Sequence, residues 1–129
     1  MILVMAVGCF DVLHYGHLRH LKAGKKLGDR LLVCLTTAKH VNKGPKRPVF
    51  TDAQRAEMLL ELKCVDEVVI NPDPTPEKLI VRYRPQIYIK GSEYKDALVE
   101  QPLVEALGGK VVFTDEPVYS STKLVSGGY

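Results

Sequence analysis

The feature that most constrains the fold is a series of short apolar runs separated by segments with helical periodicity. Five such runs, dense in Val, Ile and Leu, lie at 2–7, 31–35, 65–70, 87–89 and 111–113. Because these runs are continuously apolar rather than alternating, both faces of the sheet that they form should be covered. The pattern predicts the α/β class, a layered sandwich around a five-stranded parallel sheet.

Helix start and stop signals lie between the runs. Thr51–Gln54 reads as a capping box that opens a helix over 52–62. Thr75 and Pro76 begin a second helix, which Arg84-Pro85 ends, and Gly108-Gly109 closes a third. The apolar stripe predicted for the helix over 52–62 comprises Ala53, Ala56, Leu59 and Leu60.

Length and charge limit the classes of function. With 129 residues and no linker, the chain is expected to form a single domain over 1–129. A net charge of +3, with the basic residues dispersed, suits small anionic ligands and argues against a nucleic-acid partner. The three cysteines lack CxxC spacing, which favours a reducing cytoplasm. No apolar stretch is long enough to cross a membrane.

Two long connections follow predicted strands, at 36–50 and 91–99. In open parallel sheets, ligands bind outside the carboxyl ends of the strands. These two loops, together with the turn after the first strand, are therefore where a binding site is expected.

The turn after the first strand has the composition of a phosphate cradle. Gly8 allows the backbone to approach a ligand, and the N–H groups at the start of the helix near Tyr15 attract anions. His14 and His17, three residues apart, should share one face of the first helical turn, with Gly16 leaving space for a polyphosphate. That helix is expected to carry Leu18, Leu21 and Leu27 toward the core.

Paired imidazoles suit this position because each donates a hydrogen bond to phosphoryl oxygens as negative charge builds there. Two other interpretations of the pair remain open. One is a pair of exposed histidines on a surface helix, and the other is a zinc site formed by Cys9, His14 and His17.

The segment "GCFDVLHYGH" at 8–17 resembles the GxFDxxHxGH signature of the cytidylyltransferase-like nucleotidyltransferases. The resemblance implies a Rossmann-like three-layer sandwich of the HIGH type. It also implies nucleotidyl transfer, in which a phosphate monoester attacks the α-phosphorus of a nucleoside triphosphate and pyrophosphate leaves. His14 and His17 are then expected to contact the nucleotide phosphates and act in catalysis.

A basic loop, "NKGPKRPV" at 42–49, is the second element of the expected site. Lys43, Lys46 and Arg47 resemble the family's KGPxRP region and are expected to bind substrate phosphate, Lys43 with a catalytic share. Arg55 either reaches the same anion or lies on the surface paired with Asp52. A solvated basic loop is the alternative for the segment.

Two further stretches resemble family motifs. "KGSEY" at 90–94 resembles a glycine-centred turn that binds nucleotide and substrate, and "SST" at 120–122 resembles an ISTT-like motif that binds the β and γ phosphates. The arginine that introduces the latter motif in glycerol-3-phosphate cytidylyltransferases is absent here. The expected nucleotide-binding residues are Gly8, Cys9, Phe10, Asp11, His14, His17, Lys90, Gly91, Glu93, Ser120, Ser121 and Thr122.

Asp11 lies beside the phosphate turn, and a short carboxylate there either caps the helix or helps hold Mg²⁺ through water. We expect a mixed structural and magnesium-related role for it, with Mg²⁺ as the cofactor. His20 and His40 are expected to be ordinary surface residues, and Cys34 to fill the core.

Over nearly the whole chain, the resemblance is greatest to the adenylyltransferase part of bacterial heptose-phosphate enzymes, which make ADP-heptose for lipopolysaccharide and are often fused to a sugar kinase. The chain resembles a free-standing transferase or an excised domain. ATP is favoured over CTP, a sugar or polyol phosphate is the expected partner, and a homodimer is expected by analogy. The alternatives are a glycerol-3-phosphate cytidylyltransferase and a non-catalytic nucleotide-binding sensor. Kinship with aminoacyl-tRNA synthetases is disfavoured because a KMSKS-like loop is missing.

Overall fold

The computed structural model describes residues 1–41 and 44–115. Within them five strands form one all-parallel sheet in the order β3-β2-β1-β4-β5. The strands are β1 Leu3–Gly8, β2 Arg30–Thr36, β3 Glu67–Asn71, β4 Ile87–Gly91 and β5 Lys110–Thr114. The helices are α1 Tyr15–Lys25, α2 Asp52–Leu60, α3 Glu77–Tyr83 and α4 Gln101–Ala106. The predicted five-stranded α/β sandwich is confirmed.

The strand order reverses beside the central strand β1. Ala6 of β1 lies opposite Val33 of β2 on one side and Ile89 of β4 on the other. The chain therefore winds outward in two directions from β1, and the switch point lies between β1 and β4, whose carboxyl ends are where ligands bind in sheets of this kind. Turns that leave these two ends are placed to form a ligand site.

Each face of the sheet carries its own apolar layer. Leu21 of α1 and Leu59 of α2 are fully buried on one face, and Ile80 of α3 and Val104 of α4 are buried on the other. Removing a Leu or Ile side chain of this kind from water contributes about 1.5–3 kcal/mol. Burial on both faces explains why the central strands read as continuous apolar runs.

The helix signals correspond to helix ends, with small shifts. The Thr51 hydroxyl accepts from Gln54 N–H at 3.2 Å and the Gln54 side chain accepts from Thr51 N–H at 3.1 Å, which confirms the capping box. Arg84 ends α3 in the left-handed region (φ 45°), directly before Pro85. The helix opened by Thr51 ends at Leu60 rather than at residue 62.

Parts of the predicted apolar faces are wrong. Leu27 lies beyond the end of α1 and is 38% exposed, because the helix stops at Lys25. In α2, Leu60 is 53% exposed and Ala53 is also exposed, because the buried face of this helix runs through Arg55 and Leu59 instead. Across the described ranges, no helix combines the length and the apolar character that a membrane span requires.

Candidate active site

The two histidines of the HxGH segment cap helix α1 reciprocally. His14 is the N-cap residue, and its Nδ1 accepts from Gly16 N–H at 3.1 Å and from His17 N–H at 3.4 Å. In return, Nδ1 of His17 accepts from His14 N–H at 3.3 Å. This is a capping box in which imidazoles replace the usual hydroxyl and carboxylate.

The caps fix the tautomer of both rings. A neutral imidazole carries one proton, and because each Nδ1 acts as an acceptor, that proton lies on Nε2. The rings of His14 and His17 stack with centroids 3.7 Å apart and planes 16° apart. Phe10 meets the His17 ring edge-on, with centroids 5.1 Å apart. The pair is thus a rigid unit that carries two Nε2–H donors.

The turn that leads into α1 is conformationally strained. Phe10 and Val12 have φ angles of 46° and 66°, a region that β-branched and bulky residues rarely adopt. A Cβ on Gly8 would lie 3.0 Å from the Phe10 ring, so the ring needs a glycine at the end of β1. Phe10 is only 5% exposed and packs against His17, and its expected contact with a nucleotide stays a prediction.

Asp11 is locked inside this turn by the loop that follows β2. Its carboxylate accepts from Arg47 Nε at 2.5 Å, from Val49 N–H at 2.9 Å and from Phe50 N–H at 3.1 Å. Burial alone would raise the pKa of the Asp11 carboxyl, but the hydrogen bond from Arg47, those from the two backbone N–H groups and the Arg47 charge together lower it. Asp11 is therefore a buried anion with a structural role.

The same geometry bears on magnesium. Asp11 is fully buried and its oxygens are occupied by Arg47 and two N–H groups, so it does not fit the expected role beside Mg²⁺. Cys9, His14 and His17 do not form a metal-binding group either, since no cluster of three or more such side chains occurs in the described parts of the chain. The zinc interpretation is therefore not supported.

Arg47 has a structural contact that the sequence did not indicate. Its side chain is 2% exposed, and its Nε and NH2 groups hold the side chain and the carbonyl oxygen of Asp11. An arginine used in this way braces the strained turn, and its contact with substrate phosphate stays a prediction.

Arg55 is a second buried brace, in contrast to the two expectations of an anion ligand or a surface residue. Its side chain is fully buried, and NH1 donates to the carbonyl oxygens of Cys9 at 2.7 Å and Thr36 at 2.8 Å. The expected pairing with Asp52 is present at 2.5 Å. Arg55 thereby joins the turn after β1, the end of β2 and the start of α2.

Asp52 extends this brace into the loop after β2. It accepts from the Thr37 hydroxyl at 2.6 Å and from Ala38 N–H at 2.7 Å. Burial would raise the pKa of the Asp52 carboxyl, but these hydrogen bonds and the Arg55 guanidinium outweigh it, and the pKa is lowered. The start of the loop is therefore anchored by charge-assisted hydrogen bonds.

Of the basic loop itself, Lys46 is exposed and adopts a positive φ of 63°. Its position leaves the predicted phosphate-binding role open. Lys43 lies outside the described residues, as do Ser120, Ser121 and Thr122, and their roles stay predictions.

The end of β4 places a lysine at the same edge of the sheet. Lys90 Nζ lies 4.6 Å from the centre of the Tyr94 ring. Burial lowers the pKa of the Lys90 ammonium, and the nearby Glu100 carboxylate opposes this only in part. The Glu93 carboxylate folds back over Gly91, so closely that a Cβ at this position would displace it.

Sequence reasoning missed two contacts near this edge. His20, expected to be an ordinary surface residue, is half-buried with Nδ1 2.5 Å from Oγ1 of Thr114. The buried Tyr88 hydroxyl donates to Glu100 at 2.6 Å. The three-residue spacing of His14, His17 and His20 is a signal that could have placed His20 on the same helical row.

Together these features form a candidate anion site, with two imidazole donors at the start of α1 and a lysine at the end of the neighbouring strand. The start of α1 supplies the positive end of a helix dipole, and His14 and His17 supply side-chain donors there. Lys90 lies at the end of the neighbouring strand. A parallel α/β sheet with an HxGH pair beside its switch point is the arrangement that the resemblance to nucleotidyltransferases of the HIGH type implies, and ligands of such sheets bind at the switch point.

Comparison with known proteins agrees with this class. The family model described as "Cytidylyltransferase-like" matches residues 5–126. The chain therefore belongs to the cytidylyltransferase-like family of nucleotidyltransferases.

Curated relatives named "Bifunctional protein HldE" match most of the chain. The protein from Gluconobacter oxydans is 41% identical over 128 residues, which are 96% of this chain and 27% of the relative. That from Syntrophotalea carbinolica is 40% identical over 115 residues, or 87% of this chain and 24% of the relative. The chain thus spans about a quarter of the length of these relatives.

Solved structures show the same architecture. A lipopolysaccharide core biosynthesis protein from Thermoplasma volcanium superposes with a TM-score of 0.78 at 33% identity, covering 92% of this chain and 99% of that one. A pantothenate synthetase from Thermus thermophilus gives a TM-score of 0.69 at 15% identity, covering 97% of this chain and 61% of that one. The second likeness concerns the fold alone.

Proposed function

We propose that the chain transfers the nucleoside monophosphate group of a nucleoside triphosphate, with ATP favoured, onto a sugar or polyol phosphate and releases pyrophosphate. Heptose 1-phosphate is the expected acceptor. The observation that carries the proposal is the reciprocal imidazole cap, in which His14 and His17 are each held with the proton on Nε2 at the start of α1.

The reaction needs no covalent intermediate. An oxygen of the acceptor phosphate forms a bond to the α-phosphorus, and the bond from that phosphorus to the bridging oxygen breaks. The electron pair leaves with pyrophosphate. Catalysis then consists of positioning and charge stabilisation, for which preorganised donors are the most effective groups.

Within this reaction, His14 and His17 donate from Nε2 to the α-phosphoryl and bridging oxygens as their charge grows. The backbone cap keeps both rings neutral acceptors at Nδ1, so the donors need no reorganisation during the reaction. Lys90 supplies positive charge from the end of β4. Lys43 and Lys46 are proposed to bind substrate phosphate, and Ser120, Ser121 and Thr122 the β and γ phosphates.

Mg²⁺ is proposed to enter with the triphosphate, whose oxygens and water are its preferred ligands. Bound there, it would neutralise charge on the pyrophosphate that leaves. Asp11 is not assigned to it in this proposal, because Arg47 and backbone N–H groups already occupy the carboxylate.

The sugar-phosphate acceptor is supported by the relatives. The Thermoplasma volcanium protein of similar structure is described as acting in lipopolysaccharide core biosynthesis, and the curated relatives share about 40% identity over this domain. A glycerol-3-phosphate cytidylyltransferase is the second candidate, weakened by the missing arginine before Ser120.

A homodimer in a reducing cytoplasm completes the proposal. The dimer is proposed by analogy with relatives. The cytoplasm is supported by Cys9, Cys34 and Cys64, which are free thiols in the structure.

The test is pyrophosphate release from ATP or CTP in the presence of Mg²⁺ and a panel of heptose 1-phosphate, other sugar phosphates and glycerol 3-phosphate. The expected result is pyrophosphate release with the pair of ATP and heptose 1-phosphate and with no other pair. Release with CTP and glycerol 3-phosphate would favour the second candidate. Tight ATP binding without release from any pair would overturn the proposal in favour of a nucleotide sensor.

A further inference from the structure

A histidine outside the HxGH segment joins α1 to β5, the strand at the edge of the sheet. His20 lies on α1, and its Nδ1 is 2.5 Å from the hydroxyl oxygen of Thr114, which is 94 residues away in sequence. His20 is half-buried and Thr114 is 7% exposed. A polar contact that is so short and so sheltered from water holds two elements in one relative position.

Thr114 lies where two strands end together. It is the last residue of β5 and pairs with Gly91, the last residue of β4. Its hydroxyl is also 3.5 Å from the carbonyl oxygen of Lys90. His20 therefore contacts a residue that lies beside Lys90 and Gly91 at the end of β4.

At its C-terminal end α1 is also tied to the β2 side of the sheet, where Lys25 pairs with Asp66 at 2.6 Å and Asp66 accepts from Leu31 N–H. Toward β4, the described contacts of α1 are largely apolar. Leu21 is fully buried, and Gly24 lies so close to β4 that a Cβ there would collide with Ile89. Apolar contacts set the distance between helix and sheet but have little directional preference. A hydrogen bond is directional, and His20 lies one helical turn after His17 on the same row of α1.

We propose that His20 is a positioning residue, which through its hydrogen bond to Thr114 fixes α1 and its paired imidazoles relative to the ends of β4 and β5 that carry Lys90. The inference rests on the proposed function, because it assigns His14, His17 and Lys90 to one bound nucleotide. His20 acts through these groups and does not itself touch the substrate.

The expected consequence is kinetic. Misplacing a catalytic group by about 1 Å costs on the order of 100-fold in rate, and the loss of one anchoring bond should allow a smaller displacement. Because the imidazoles act as charge develops, the loss should fall mainly on kcat, with a smaller change in the KM for ATP.

The experiment uses variants that remove or keep the hydrogen bond. His20→Leu and Thr114→Val remove it, whereas His20→Asn retains a polar group near the Nδ1 position and Thr114→Ser retains the hydroxyl. We expect the first two to lower kcat by about tenfold, the double variant to be no worse than either, and the last two to recover most of the rate. His40→Leu is the matched control.

Wild-type kcat in folded His20→Leu and Thr114→Val would overturn the inference, and so would independent, multiplying losses in the double variant. If the wild-type chain turns over no substrate, the proposed function fails separately. The inference is then decided by the backbone amide resonances of Lys90 and Gly91. In NMR spectra these resonances should shift from their wild-type positions in His20→Leu and lie close to those positions in His20→Asn. Wild-type positions in His20→Leu would contradict the inference.

Discussion

Asp11 and Arg47 form a buried ion pair between the turn after β1 and the loop after β2, with Arg47 Nε 2.5 Å from Asp11 Oδ2 and side chains 0% and 2% exposed. Asp11 lies within the turn itself, between Phe10 and Val12, which both hold positive φ angles. Strain of this kind costs on the order of 1–3 kcal/mol per residue and persists only where the surroundings enforce it. The ion pair is one such constraint.

Arg47→Met should therefore destabilise the protein strongly. It leaves the Asp11 carboxylate buried without its counter-charge, which typically costs about 3–5 kcal/mol. The free energy of unfolding in urea measures this loss. Lys78→Met is the control, because the Lys78 side chain is 82% exposed and 3.9 Å from Asp73, and surface pairs of this kind contribute about 0–1 kcal/mol. Equal, small losses in both variants would contradict the structural role of Arg47.

Stability should fall in acid. The pKa values of the Asp11, Asp52 and Asp66 carboxyls are lowered in the folded state, because hydrogen bonds and nearby cations outweigh the opposing effect of burial. In the unfolded chain the pKa of these carboxyls is about 3.9. As the pH falls toward and below that value, the unfolded state binds protons that the folded state does not yet bind. Protons therefore favour the unfolded state, and the stability present at neutral pH is progressively lost.

Urea midpoints measured between about pH 7 and pH 2 follow this loss. Asp11→Asn should show a shallower decline than the wild-type protein, because one of the three groups no longer titrates. An equally steep decline would show that Asp11 does not contribute to the acid sensitivity.

The thiols should differ in reactivity. Burial raises the pKa of the Cys34 thiol to about 12, and its side chain is fully buried, so alkylation of Cys34 at neutral pH should require unfolding. Cys9 and Cys64 are half-buried and should react in the native protein.

ATP should then protect Cys9 selectively, because Cys9 lies in the turn that leads to His14. Mass spectrometry after brief alkylation with and without ATP measures the protection, with Cys64 as the internal control. Equal labelling of Cys9 in both samples would place the nucleotide elsewhere.

The fold could be predicted because its signals are local. Continuous apolar runs at 2–7 and 31–35 require cover on both faces, and a capping box at Thr51 opens a helix wherever the chain packs. Leu27 shows the limit of such signals, since α1 stops at Lys25 and nothing in the apolar spacing marks that end.

The site was harder to predict, because the partner of a charged side chain is not visible in the sequence. Arg47 and Arg55 read as surface cations ready for phosphate, and the structure buries both against acceptors from distant segments. His20 likewise gains its role from Thr114, which is 94 residues away. The HxGH segment could be identified because its two histidines and their spacing are contained in one helical turn.

The most direct test of the account separates the two roles of the imidazole pair. His14→Asn keeps an N-cap acceptor, and His17→Gln keeps the reciprocal cap at N3. His14→Asn places no donor at the former Nε2 position, and His17→Gln replaces the imidazole Nε2–H by the N–H of a neutral carboxamide, a weaker donor to developing negative charge. The free energy of unfolding of each variant should lie within about 1 kcal/mol of the wild-type value.

Their turnover should nevertheless fall by a factor on the order of 100–1,000 each, as expected when a preorganised donor is lost. Pyrophosphate release at saturating ATP and acceptor measures it. Near-wild-type release by folded His14→Asn would contradict the central claim that the paired imidazoles stabilise the reacting phosphoryl group.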